Sequence, residues 1–213
     1  FDRYAPEVID SFKALVDTGC VELLCETYSH SLASLKNGLE FQNQIKKHKE
    51  TIKEHFGVEP TVFRNTELIY SDAIGSQLYE MGFKTVLTEG AKHIMGWRNP
   101  NFVYSNAKKT KQKLLLRNYG FSDDIAFRFS NRSWEEWPLT SEKFVRWLSE
   151  AESEIINLFM DYETFGEHQH ADTGIFDFMA ALPKAVLKSG ELSFVTPSEA
   201  AKKLQPVSAL EVP

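Results

Sequence analysis

Residues 155–170 read Ile155-Ile156-Asn157-Leu158-Phe159-Met160-Asp161-Tyr162-Glu163-Thr164-Phe165-Gly166-Glu167-His168-Gln169-His170. An apolar run broken only by Asn157 ends abruptly in carboxylates, a glycine and histidines. That is the pattern of a buried strand delivering acids to the mouth of a site. In a parallel α/β barrel the chemistry sits where strands end, so position and residue type agree.

Working outward, the chain alternates strand and helix patterns. Before the focal run, Phe144, Trp147, Leu148 and Ala151 recur at helical spacing over residues 140–152, and Lys113-Leu114-Leu115-Leu116-Arg117 reads as a strand. Further back, Thr61–Glu67 and Lys84–Thr88 are β-branched strands separated by a helix with Ile74, Leu78 and Met81 inward. The stripe Phe41, Ile45, His48, Ile52, Phe56 marks a surface helix, on which His48 reads as a core-edge residue. Cys20–Cys25 reads as a first buried strand, and Pro6 opens a helix ahead of it. Past the focal run, Leu192–Val195 reads as a last strand. Thr196-Pro197-Ser198-Glu199 then has the cap, the proline and the glutamate of a helix start.

This alternation predicts an α/β fold with a parallel sheet covered by helices. Neither GxGxxG nor GxxxxGK[ST] occurs, so a closed barrel is expected over an open nucleotide-binding sheet. No Pro/Gly/Ser-rich linker splits residues 1–213, which predicts a single domain. The chain opens at Phe1 in mid-pattern, as a fragment would.

A hydrophobic content of 42% and a charged content of 25% exclude a disordered chain. The net charge of −6, with lysines clustered only in Lys108–Lys113, argues against a nucleic-acid partner, and that run reads as a solvated loop. No window approaches the roughly 18 apolar residues of a membrane span and no leader precedes the first helix, so a cytoplasmic protein without membrane contact is expected. Cys20 and Cys25, at odd spacing on one expected strand, point to opposite faces and read as unbridged buried fillers.

Acids stand in or just after several expected strands: Glu22 and Glu26, Glu67, Glu89, and Asp161 with Glu163. Two carboxyls on separate strands around one cleft are what glycosidic bond hydrolysis needs. Acids in such places also cap helices and pair with arginines, so position alone leaves both readings open. A metal site at Asp161, Glu163, His168, His170 and Asp172 is a further reading. Against it stand the i,i+2 histidines and the lack of HExxH or a paired-cysteine frame, so neither metal nor cofactor is expected. No GxSxG elbow supports a serine nucleophile.

Three segments, Val21–Leu32, Phe63–Tyr70 and Leu158–His168, resemble in order three signature blocks of glycoside hydrolase family 57, specifically its α-amylase-like members. The resemblance implies a seven-stranded TIM-like (β/α) barrel, here lacking its first strand at the N-terminus, that acts on α-glucans or maltooligosaccharides with retention. It places Glu67 at the family's nucleophile and Asp161 at its acid/base. Glu22 falls at a glutamate lining the sugar site, and His30, Glu163 and His168 are expected to bind or orient sugar. Arg64 is expected beside the nucleophile, where it or another donor would keep Glu67 ionised; apolar neighbours or nearby carboxylates would keep Asp161 protonated. Trp97 reads as a sugar-stacking platform or a buried loop aromatic. Retention predicts carboxyls about 5–5.5 Å apart. The alternatives are a 4-α-glucanotransferase or branching-type enzyme, a non-catalytic carbohydrate-binding relative, and a metal-dependent polysaccharide deacetylase-like enzyme.

Overall fold

The computed structural model describes residues 3–213. The chain forms two compact units, Phe1–Leu116 with Val195–Pro213, and Arg117–Phe194. Among the described residues no helix is long and apolar enough to cross a membrane.

In the first unit, α1 (Pro6–Asp17) opens with proline at its start, where a missing N–H costs nothing. Helix α2 (Gly38–Phe56) is capped by Asn37, which accepts from the Glu40 N–H, and stops at Gly57 in the left-handed conformation. It buries Phe41 and Ile45. Strand β1 (Val62–Arg64), α3 (Asp72–Glu80) and β2 (Thr85–Glu89) then make the expected strand–helix–strand unit, with β1 and β2 parallel. Short α4 (Lys92–Met95), β3 (Tyr104–Asn106) and β4 (Lys113–Arg117) follow. The core centres on Phe41, Phe63, Phe83, Leu78 and Leu114, with the Phe63 and Phe83 rings 5.2 Å apart.

The sheet is five-stranded, in the order β1-β2-β4-β3-β5, where β5 is Ser208–Leu210. It is mixed, which corrects the all-parallel expectation: β3 and β4 are antiparallel, β3 and β5 parallel. The loop joining β3 to β4 is too short for a crossover, so the chain can only turn back on itself. The lysine run forms this hairpin loop, where the Lys108 and Lys109 N–H groups donate to Asn106 Oδ1 at 2.7 and 2.9 Å. Lys113 Nζ donates to the Ala201 and Leu204 carbonyls at the end of α8 (Pro197–Lys203), each at 2.6 Å.

Cys20–Cys25 does not form the expected strand. Only Cys25 bridges, to Phe63, through one ladder step in which its N–H donates to the Val62 carbonyl and its carbonyl accepts from Arg64 N–H. Cys25 is buried and its thiol is pushed up to about 12 by desolvation, whereas Cys20 is exposed, contrary to its reading as a filler. Leu192–Val195 is likewise not a strand.

The second unit contains α5 (Tyr119–Asp123), a π-turn (Asp124–Arg128), α6 (Ser141–Glu150) and α7 (Ile175–Ser189). Phe129, Phe144, Leu148, Ile175 and Phe178 form its core, with the Phe144 and Phe178 rings 5.9 Å apart. The focal run is here reduced to one parallel bridge, Arg117 to Asn157. Side chains take up the backbone groups that a longer ladder would use: Arg117 Nε donates to the Phe159 carbonyl at 2.8 Å, and Ser122 Oγ accepts from the Phe159 N–H at 3.2 Å.

Candidate active site

Past the end of β1 the chain makes a tight turn, Thr66–Leu68, in which Glu67 (φ 53°) and Leu68 (φ 55°) both adopt the left-handed conformation. For residues with a Cβ this is strained, and it persists only where the surroundings over-determine it. They do so here. The Asn65 side-chain amide, itself buried, donates to Ser34 Oγ and to the Ile69 carbonyl, both at 2.9 Å. Thr88 Oγ1 donates to the Leu68 carbonyl at 3.1 Å. The buried hydroxyls of Thr66 and Thr27 share a hydrogen bond of 2.8 Å, which ties this turn to the loop carrying His30. Glu67 is thereby turned outward, with its side chain 72% exposed.

His30 is the third left-handed non-glycine residue among the described residues, at φ 48°, and its N–H donates to the Thr27 carbonyl at 3.0 Å. Its Nε2 lies 3.1 Å from Glu67 Oε1 and its Nδ1 lies 3.6 Å from Glu26 Oε2. Arg64, expected from the sequence to stand beside Glu67, forms an ion pair at 3.7 Å with that same Glu26 oxygen. The hydrogen bond to Glu67 comes from His30. His48, on α2, accepts from the Glu26 N–H at 3.4 Å, and burial holds its imidazole below the ordinary range, which suits an acceptor.

The other residues singled out from the sequence fall elsewhere. Glu22 accepts from the Ser198 N–H at 2.8 Å and from the Ser198 hydroxyl, so its carboxylate anchors the start of α8. Trp97 lies just past α4, 90% exposed, with the Arg98 guanidinium 5.5 Å from its ring centre, so the buried-aromatic reading does not hold.

In the second unit, Asp161 immediately precedes a turn, Tyr162–Thr164, and its carbonyl accepts from the Thr164 N–H at 3.1 Å. The Glu163 carbonyl accepts from the Glu167 and His168 N–H groups, and Phe165 bridges back to Gln169. Gln169, buried, pins this loop by donating from Nε2 to the Ala126 carbonyl at 2.9 Å. Asp161, Glu163 and His168 all stand exposed on it, and the His168 ring centre is 6.2 Å from that of Phe127. Among the described residues no group of three or more His, Cys, Asp or Glu side chains is arranged to hold a metal.

Residues 1–213 match the family described as glycosyl hydrolase family 57. The chain belongs to that family. A Methanocaldococcus jannaschii protein named "Putative alpha-amylase" is 49% identical to this family-57 chain over 200 residues, covering 93% of the chain and 42% of the relative's own length. Among solved structures, the 4-alpha-glucanotransferase of Thermococcus litoralis superposes on all of the chain, over 33% of its own, with a TM-score of 0.81 at 15% identity. The alpha-amylase AmyC of Thermotoga maritima superposes on all of it as well, over 54% of its own chain, with a TM-score of 0.65 at 14% identity. At such identities the likeness is one of fold. It extends the α/β assignment to this family-57 chain as a whole.

Within the first unit, His30 lies against Glu67, and Glu26 lies between His30 and Arg64. The sequence shows Glu26 only as one acid among several; its place between His30 and Arg64 follows from the Cys25–Phe63 bridge, which sets it beside β1.

Proposed function

We propose that this chain is the catalytic part of a retaining glycoside hydrolase acting on α-glucans or maltooligosaccharides, built on a seven-stranded TIM-like barrel to which the five strands belong. Family membership supports the substrate class. The observation that carries the reading is Glu67 itself, an exposed carboxylate held on a strained turn with a histidine nitrogen on one oxygen. Strain kept at a polar, solvent-facing residue is characteristic of functional positions.

In this reading Glu67 attacks the anomeric carbon while Asp161 gives its proton to the departing glycosidic oxygen. Asp161 then takes a proton from water, which displaces Glu67 from the glycosyl-enzyme and restores the original configuration. A sugar hydroxyl in place of that water would make the same two steps a transfer. Retention by double displacement calls for carboxyls about 5–5.5 Å apart. Trp97 offers a face for stacking, and Glu22, Arg64, Glu163 and His168 offer hydrogen bonds to sugar hydroxyls.

Glu67→Gln keeps the size and hydrogen bonding of the side chain and removes its nucleophilicity. In the intact protein it is expected to lower the release of reducing ends from soluble α-glucan on the order of a thousandfold or more, with an unchanged circular dichroism spectrum. Activity within tenfold of the parent would remove Glu67 from the role.

A further inference from the structure

We infer that Glu26 is a positioning residue for the nucleophile, acting through His30, an inference that rests on the assignment of Glu67. The four side chains form a line: Arg64 lies 3.7 Å from Glu26, Glu26 lies 3.6 Å from His30 Nδ1, and His30 Nε2 lies 3.1 Å from Glu67. His30 Nε2 is within hydrogen-bond distance of Glu67, and Glu26 stands behind the ring, 3.6 Å from Nδ1. The carboxylate behind it then fixes which way the ring points, as the buried acid of a catalytic triad does for its histidine.

The backbone shows which end of the line is the anchor. Glu26 follows Cys25, which is buried and locked to β1 by two backbone hydrogen bonds of 2.8 and 2.9 Å, and its own N–H is held by His48. His30 and Glu67 instead sit on turns in the left-handed conformation, with side chains 50% and 72% exposed. Side chains that exposed sample several rotamers unless something rigid holds them. Glu26, whose side chain is 31% exposed, is the rigid neighbour that His30 reaches, and Arg64 pairs with the same carboxylate oxygen. The arrangement fixes the His30 ring and through it one oxygen of Glu67, leaving the other oxygen for the anomeric carbon. Placement of this kind is worth large factors in rate, because misplacing a reacting group by about 1 Å can cost on the order of 100-fold.

The test measures kcat and KM of the intact protein on a maltooligosaccharide and on α-maltosyl fluoride, whose leaving group needs no protonation. The variants are Glu26→Ala, Glu26→Gln, His30→Ala and the Glu26→Ala/His30→Ala double. Glu26→Ala is expected to lower kcat about 10- to 100-fold on both substrates with little change in KM. Glu26→Gln, which keeps an acceptor oxygen, is expected to recover most of that loss. The double variant is expected to lose no more than His30→Ala alone, because the two residues act in series. Losses that multiply in the double variant would overturn the inference. So would a Glu26→Ala effect confined to KM, which would make Glu26 a sugar contact, or an effect under twofold on both substrates. Should Glu26→Ala not fold, Glu26→Leu, closer in volume, takes its place in the same cycle. Glu67→Gln measured alongside separates the two failures: if it is inactive while the Glu26 variants are normal, the inference alone falls; if it is active, the nucleophile assignment falls first.

Discussion

The turn at Glu67 and the loop at Asp161 both present a carboxylate to solvent, yet they handle backbone strain in opposite ways. Around Glu67 the left-handed positions are occupied by His30, Glu67 and Leu68, all bearing a Cβ. In the second unit they fall to Gly166, Gly174 and Gly190, which adopt that conformation freely. The first turn therefore needs tertiary locks, namely the Thr27–Thr66 hydrogen bond, the Asn65 amide and Thr88, whereas the second closes largely on local backbone hydrogen bonds and the one amide of Gln169. Strain is accepted where the strained residue is itself wanted at that point. On the proposed assignment the strained turn carries the nucleophile, which must meet one atom along one line.

The contrast can be broken or sharpened by experiment. The largest effect is expected at the looser end. Asp161→Asn should cut kcat on an α-glucan by about 100- to 10,000-fold, the usual worth of general acid–base help. It should leave formation of the glycosyl-enzyme from α-maltosyl fluoride far less affected, which a burst measurement reads; an equal loss in that step would make Asp161 something other than the acid. Next comes the threonine lock. Thr66→Val removes the Thr27–Thr66 hydrogen bond and should destabilise the protein by about 1–2 kcal/mol in urea, whereas Thr27→Val, which also takes the acceptor from the Ser31 N–H at 2.9 Å, should cost more. If Thr66→Val lowers kcat while the protein remains fully folded at the assay temperature, the lock serves placement as well as folding. The smallest effect is expected at Gly166, at φ 118°. An added Cβ would meet only Phe176 Cζ at 3.7 Å, an ordinary contact, so Gly166→Ala should cost about 1 kcal/mol through its backbone alone. A much larger cost would show that the second loop is as tightly determined as the first.

Much of this fold can be read locally, and the exceptions share a cause. Helices α2, α3 and α6 begin at the capping residues Asn37, Ser71 and Thr140, and α8 shows both halves of the Thr196–Glu199 capping box, because caps are settled within a few residues. The focal run fails as a strand because its partners are the side chains of Arg117 and Ser122, which no period-2 pattern announces. Strand β5 is invisible for the opposite reason: two of its three residues are exposed, and it pairs only because β3 lies beside it. The roles proposed for Glu67, His30 and Asp161 come from the family blocks. The Glu26–His30–Glu67 line does not, since it depends on a loop folding back across 37 residues. Nor does the Glu22 carboxylate's grip on Ser198, 176 residues away.

That last contact, with the seating of β5 on β3 and of Lys113 on the carbonyls of α8, bears on the order of events at the ribosome. The first unit is written in two instalments with the whole of the second between them. Until Val195–Pro213 emerges, β3 has β4 on one side only and Glu22 lacks its Ser198 partner, while the aromatic core of the second unit is drawn wholly from Arg117–Phe194. The contacts of the insert can thus form during synthesis ahead of those that join residues 195–213 to the first unit. Holding that long loop adds little penalty, because closure entropy grows only slowly with length.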